Sequence, residues 1–299
     1  MRKALSDALV KMALADKSVF VLTCDHGYAL FDDLRRHCPQ QYINCGVAEQ
    51  NMIGVAAGMA KRGLKPICYG LSAFLPIRVL EQIKIDICYE NLPIILLGDG
   101  AGVVYSQLGS THQSNEDIAC LRAIPNMRIL SPCDAAEMTG CMELAANFEY
   151  PVYVRIGKAD LGDVHASPPA LKYGEIFALR TGTNVALVAT GSMVKTALEL
   201  GAEWPAWSIY SAYCIKPLSE AAVLEIAAKH RRIVVLEEHH RSGGLGSAIA
   251  EIVAESAACR VHRIGVDDRF SKHCGSYDYL MREHELDIES IARKLRDLV

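Results

Sequence analysis

Residues 42–62 read YINCGVAEQNMIGVAAGMAKR, and this stretch organises the reading of the whole chain. A short apolar, turn-like segment ends at Gly46. A helix pattern then opens with an acidic residue, Glu49, in its first turn, and Met52, Val55, Ala56 and Met59 recur at three- and four-residue spacing as one apolar stripe. Gly54 and Gly58 lie one turn apart on a neighbouring face. Glycine inside a helix costs about 1 kcal/mol relative to alanine, so the pair predicts close approach of another backbone. The stretch therefore predicts a carboxylate at the mouth of a tightly packed helix, although an acidic first-turn residue also suits simple helix capping.

Upstream, residues 1–18 read as a helix with Ala4, Leu5, Ala8, Leu9 and Met12 along one side, and Ser18–Gly27 as a short β-rich run. Downstream, strands are expected at Lys65–Gly70, Leu92–Gly100, Asn126–Ser131 and Pro151–Ile156. LPIILLGDG, residues 92–100, is almost continuously apolar, which suits a central parallel strand covered on both faces. Phe74–Tyr89 fits a helix with Val79, Ile83, Ile87 and Tyr89 apolar among charged neighbours, and Asp134 is placed to cap another that runs to about Phe148. The polar, Pro-containing ADLGDVHASPPAL then breaks the pattern as a linker. Beyond it, strand patterns at Val185–Thr190, Trp207–Tyr210, Arg232–Glu238 and Arg260–Ile264 alternate with helix patterns near Ser192–Leu200, Ser219–Lys229, Gly243–Glu255 and Ile288–Leu295. The expected fold is α/β: two consecutive open, mostly parallel sheet domains with helices on both faces. One domain spans 1–160, a linker 161–172, and a second domain 173–299.

With 299 residues, a formal net charge of -4 and 22% charged residues, the chain offers no general electrostatic attraction for nucleic acid. No apolar run approaches the roughly 18 residues of a membrane span, and the first residues lack a signal-peptide core. Eleven cysteines are an odd number in a chain large enough to need no staples. They are read as free thiols, with Cys68 and Cys88 serving as small hydrophobes, and the compartment as reducing and cytoplasmic. No Cys-x-x-Cys pair or zinc-spaced ligand cluster is present in the sequence, so no metal ligand is assigned.

Glu49 with its helix, YGLSAFLPIRVLEQIKIDICY (residues 69–89) and GSTHQSNEDIACLRAIPNMRILSPCDAAE (residues 109–137) together resemble the transketolase family, in its pyrimidine-binding and C-terminal domains. VALVATGSMV, IKPL at Ile215–Leu218 and EEHHRSGGLGSAIAE carry the resemblance through the second half. It implies thiamine diphosphate bound between this chain and a separate diphosphate-binding subunit that supplies the Mg²⁺ site, within an α2β2 assembly in which this chain homodimerises. GDG at 98–100 followed by Asn126 superficially matches the family's metal pattern. It falls, however, inside the pyrimidine-domain pattern, where glycines at a strand end simply permit a turn.

The resemblance also implies roles for single residues. Thiamine chemistry needs a carboxyl group hydrogen-bonded to N1′ of the aminopyrimidine, so that the cofactor's own 4′-amino group can take the thiazolium C2 proton; Glu49 matches that position. His112 matches the histidine that faces the reacting carbon and substrate hydroxyls, with a structural loop histidine as the alternative. Leu71 and Phe74 are expected to cover the pyrimidine ring, Leu71 standing where an aromatic is usual. Arg78 either reaches substrate or pairs across its helix. Gly100 and Leu108 stand where the family usually has a histidine and an acidic residue that bond sugar hydroxyls, so a less polar, roomier pocket and an unusual substrate are expected. Lys158 stands where an arginine often binds a distal phosphate, or else is a solvated surface lysine. Arg155 supports its strand end, and His239 and His240 line the entrance or pack near it. GGLG at 243–246 lacks the complete signatures of nucleotide loops and is read as a tight interface turn.

The expected activity is transfer of a two-carbon ketol unit from a phosphorylated or otherwise anionic ketose to an aldose. The alternatives are a 2-oxo acid decarboxylating or carboligating subunit, and a non-catalytic regulatory subunit with a degenerate pocket.

Overall fold

The apolar run at residues 92–100 forms β4 (Ile95–Asp99), every residue of which is buried. The computed structural model describes residues 1–256 and 259–298. In chain order the other strands are β1 (Val19–Thr23), β2 (Tyr42–Asn44), β3 (Lys65–Leu71), β5 (Arg128–Leu130), β6 (Val152–Ile156), β7 (Phe177–Arg180), β8 (Val185–Ala189), β9 (Ser208–Ser211), β10 (Cys214–Lys216), β11 (Arg232–His240) and β12 (Arg260–Val266). They form a seven-stranded sheet, β10-β5-β6-β4-β3-β1-β2, and a five-stranded sheet, β12-β11-β8-β9-β7. Each is parallel except for one edge strand: β10 runs antiparallel to β5, and β7 to β9.

Helices cover both faces of the first sheet, which is why its inner strands are mainly apolar and almost wholly buried. The Arg2–Ala15 and Ala135–Ala145 helices bury Leu5, Leu9, Met138 and Met142 on one face. The Glu49–Lys61 helix buries Met52, Ile53 and Ala56 on the other, beside Val79, Ile83 and Ile87. Asp134 caps its helix as expected, its Oδ1 accepting from the Glu137 amide at 2.8 Å. The segment 74–89 is less regular than a single helix. It runs through a 3-10 turn at Ile77–Val79 into a π-helical turn at Ile83–Cys88, and Tyr89 turns outward, 82% exposed.

The glycine pair of the opening stretch does not meet a backbone within the chain. A Cβ built on Gly54 or Gly58 has no heavy atom within 4 Å, and Val55 beside them is exposed. That helix face is open, and the expected close approach is not made by any described part of this chain.

Buried polar groups fasten the two halves together. The Arg155 guanidinium donates to Asp117 at 2.8 Å and to the carbonyls of Ser114 and Glu238 at 3.3 and 2.8 Å. Glu238 accepts from the Val103 amide and the Tyr277 hydroxyl, both at 2.7 Å, and from Ser192. Arg155 thus does more than support a strand end: it sits at the junction of the halves. His239 is fully buried there, and burial lowers its pKa to about 4. His240 is half-exposed, its Nδ1 3.0 Å from the Asp267 carbonyl.

GGLG shows why it is not a nucleotide loop. The amides of Leu245 and Gly246 at the helix start donate to the Glu237 carboxylate at 2.8 and 3.0 Å. The anion site of that helix N-terminus is filled from within. Burial of Glu237 raises its pKa to about 7 despite those two amides.

Candidate active site

Parallel strands end together, so the residues just past β1, β2, β3, β4 and β6 converge on one edge of the first sheet, where open α/β sheets bind ligands. Glu49 arrives there because β2 ends at Asn44 and a short turn starts its helix. The side chain is 2% exposed. Its Oε2 accepts from the Arg78 guanidinium at 2.8 Å, and its Oε1 is buried without a hydrogen-bond partner. A buried carboxylate oxygen left unbonded costs about 1–3 kcal/mol, and the described chain leaves this acceptor unmet at the start of the helix.

Arg78 lies 4.1 Å from the Phe74 ring centroid, so one guanidinium serves the carboxylate and an aromatic face together. Phe74 in turn meets the His112 ring edge-on, with centroids 5.2 Å apart. The Thr111 hydroxyl lies 2.9 Å from His112 Nδ1 and helps orient the ring. Glu49, Arg78, Phe74 and His112, expected as separate contributors, form one contiguous array. Arg78 pairs with Glu49 itself, which neither expectation for it specified.

His112 also lines a cavity of about 820 Å³, together with Leu71, Leu108, His26, Asp99 and Tyr105. Leu71 is buried in its wall and Leu108 exposed at it. Gly100 is different: a Cβ there would lie 1.9 Å from the Tyr105 ring, and its φ is +79°. The space expected to be vacant is filled by Tyr105, and the expectation of a roomier, less polar pocket is corrected accordingly. The wall is polar, because Asp99 Oδ2 accepts from the Tyr69 hydroxyl at 2.7 Å, Arg2 at 2.7 Å and the Tyr105 hydroxyl at 3.1 Å. Burial pushes both phenols well above their ordinary pKa, with the Asp99 charge adding to the effect. Lys158 stands apart from this cavity, paired with Asp160 at 2.7 Å and lying 5.4 Å from the Tyr277 ring centroid.

The GDG–Asn126 pair does not form a chelate. Asp99 ends β4, whereas Asn126 precedes β5, whose Arg128 is level with Ile95 through Val152. That places them at opposite ends of the sheet, roughly 20 Å apart along the strands at about 3.3 Å per residue. Asn126 instead donates to the Cys88 carbonyl at 2.9 Å.

The wall residues Arg2, His26, Tyr69, Asp99 and Tyr105 were not expected. Only Asp99 had a usable signal, as a carboxylate at the carboxyl end of an otherwise apolar strand.

Residues 1–163 match the family described as "Transketolase, pyrimidine binding domain", and residues 174–291 match "Transketolase, C-terminal domain". The chain belongs to the transketolase family. It is 34% identical over its whole length to an apulose-4-phosphate transketolase subunit of Phocaeicola vulgatus, covering 97% of that protein. It is 31% identical to a 6-deoxy-6-sulfo-D-fructose transketolase subunit of Clostridium sp. strain MSTE9, covering 94% of it. A solved structure described as "Split gene transketolase, inactive beta4 tetramer" superposes with a TM-score of 0.89 at 30% identity, covering 99% of this chain and 96% of that one. Transketolase membership implies thiamine diphosphate. The residues present are compatible with that group: Glu49 Oε1 is a buried acceptor without a partner, Phe74 packs on the arginine that holds Glu49, and Leu71 lines the neighbouring cavity.

Proposed function

We propose that this chain is the pyrimidine-binding subunit of a two-component transketolase, active only with a separate diphosphate-binding subunit that supplies the Mg²⁺ ligands. The observation that carries the reading is the buried Glu49 carboxylate, one oxygen held by Arg78 and the other unbonded. Glu283 Oε2 and the Oδ2 of the helix-capping Asp287 are also buried without a partner, so what distinguishes Glu49 is that its unbonded oxygen lies at the end of the parallel sheet where open α/β sheets bind ligands. Thiamine diphosphate, when bound, supplies the carbon–carbon bond cleavage and carries the two-carbon unit. With that group bound, Glu49 Oε1 would accept or share the proton at the pyrimidine N1′, Arg78 would fix the carboxylate's orientation, and Phe74 and Leu71 would exclude water from the ring. His112 moves a proton at the substrate oxygen that becomes a carbonyl.

A separate partner is supported by likeness to relatives named as subunits, which this chain matches over 97% and 94% of their length. The open Gly54–Gly58 face, with Val47 73% and Val55 39% exposed near it, supports packing against a second copy or that partner. α2β2 is the assembly this reading implies, and a cytoplasmic location is part of the same proposal, with which the eleven free cysteines are compatible. No described helix is long and apolar enough to cross a membrane.

The substrate reading is a ketose with an anionic terminus, passing its ketol unit to an aldose. It rests on the named relatives, which act on a sugar phosphate and a sulfo-sugar; the cavity itself is of mixed charge, with Arg2 held by Asp99 and Lys3 by Asp7, and His26 and His112 as its protonatable groups. Lys158, 27% exposed and held by Asp160, would reach a distal phosphate only by releasing that partner. The test is a screen of ketose phosphates and sulfonates against an aldose, with both subunits, thiamine diphosphate and Mg²⁺ present. Turnover of an unusual anionic ketose well above that of xylulose 5-phosphate is expected. Efficient turnover of xylulose 5-phosphate would contradict the substrate reading, and release of CO₂ from pyruvate would favour a decarboxylating subunit.

A further inference from the structure

Sequence spacing shows no metal site, yet the fold gathers Cys133, Glu137 and His165 so that one ligand atom of each lies within 4.8 Å of the others. Cys133 follows β5, Glu137 lies in the first turn of the Ala135–Ala145 helix, and His165 comes from the linker. The His165 side chain is 7% exposed and that of Glu137 fully buried.

The His165 ring is oriented by Asp134. Oδ2 of Asp134 accepts the amides of Val164 and His165 at 2.8 and 2.7 Å and lies 3.2 Å from the ring Nδ1. With Nδ1–H donated to that oxygen, Nε2 presents a lone pair to the cluster. Nε2 has no hydrogen-bond partner and stands 3.7 Å from Glu137 Oε1. That is too long for a proton to bridge well. It is close to the roughly 3.4–3.6 Å that separates two ligand atoms on one tetrahedral zinc ion, given bonds of about 2.0–2.3 Å.

We propose that Cys133, Glu137 and His165 bind a thiophilic divalent cation, with Zn²⁺ the best match. A thiolate, an imidazole and a carboxylate suit zinc and disfavour Mg²⁺ or Ca²⁺. The surroundings resemble the outer shell of such a site: Asp134 holds the imidazole, and the Ser211 hydroxyl and the Cys133 amide hold the two Glu137 oxygens at 2.6 and 2.9 Å. Closing the widest ligand pair needs a shift of about 1 Å, which the irregular linker segment carrying His165 can make. A cavity of about 730 Å³ reaches His165 between the Arg2–Ala15 and Ala135–Ala145 helices, giving an approach to the cluster from the His165 side. The Cys133 thiol proton leaves to solvent on binding. Because Ser211 belongs to β9, the ion ties the linker to both sheets, and this site is independent of the thiamine reading.

The test takes the untagged full chain, stripped of metal under reducing conditions, and titrates it with Zn²⁺ and separately with Co²⁺. One equivalent should bind, the Co²⁺ form should show thiolate-to-metal charge-transfer absorption, and the thermal midpoint should rise with Zn²⁺. Cys133→Ser and His165→Gln should each weaken Zn²⁺ binding at least about 100-fold, beyond the effect of losing an outer-shell group. Undiminished binding in both variants, as exposed His273 and Cys274 would give, overturns the site. So does a Co²⁺ form of the unmodified chain without the thiolate band, or nitrogen NMR showing His165 Nε2 protonated in the presence of excess Zn²⁺.

Discussion

Replacing Glu49 by methionine separates a functional carboxylate from a structural one, because the two readings predict opposite signs. In the chain alone, Glu49→Met removes a buried unbonded oxygen, worth about 1–3 kcal/mol. It also breaks the bond to Arg78, whose side chain is 38% exposed and re-solvates, so that loss is held to about 1 kcal/mol or less. The variant should therefore be as stable as the parent or up to about 2 kcal/mol more stable by urea unfolding. Cofactor binding moves the other way. A hydrogen bond to a charged partner is worth about 1.5–3 kcal/mol, so affinity in the two-subunit mixture should fall roughly 10- to 150-fold, with turnover lost. Destabilisation by more than about 2 kcal/mol, with cofactor affinity within threefold of the parent, would show that Glu49 serves the fold and would refute the assignment.

The Gly100→His substitution, which supplies the histidine usual in the family, should destabilise the chain by about 2–5 kcal/mol, since a side chain meets Tyr105 and a left-handed backbone; urea midpoints check this, and Tyr105→Gly should recover part of the loss. Arg155→Leu should cost about 3–5 kcal/mol by leaving the buried Asp117 carboxylate without its cation, and Arg155→Leu with Asp117→Leu should recover at least half of that in the same assay. The Glu237 carboxyl, with a folded pKa of about 7 against 4.5, contributes stability that is complete below pH 4.5 and lost as pH rises through 7, about 3 kcal/mol in all. Buried His239, lowered to about 4 from 6.5, contributes stability present above pH 6.5 and lost as pH falls through 4, so the two oppose each other. Relative to the parent, Glu237→Gln should gain about 3 kcal/mol between pH 4.5 and 7, and unfolding curves at the two pH values that shift in parallel would contradict this.

The strands legible from sequence were those whose burial is written along the chain. β4 is apolar up to its final Asp99 because helices cover both its faces, and β1, β3, β6, β8 and β11 are likewise built on buried apolar runs. β7 and β10 are not legible because both are short antiparallel edge strands, and β10 leaves the second half to pair with β5 of the first sheet. The 74–89 segment kept its buried residues but not its regularity, with a π-helical turn shifting the phase. At the site, Glu49 and His112 stand out because local patterns and the family resemblance agree there. The Asp99 network does not, since Arg2, Tyr69 and Tyr105 reach one carboxylate oxygen from three separate elements. The Gly54–Gly58 pair reads as close packing within the fold. The structure leaves that face open, so its explanation lies outside the chain.

The most direct measurement is calorimetric titration of thiamine diphosphate with Mg²⁺ into this chain alone, into a purified diphosphate-domain subunit alone, and into their mixture. The account predicts tight binding only in the mixture, greatly weakened by Glu49→Ala. Tight binding by this chain alone, or a stable complex of the two subunits that binds no cofactor, would contradict it.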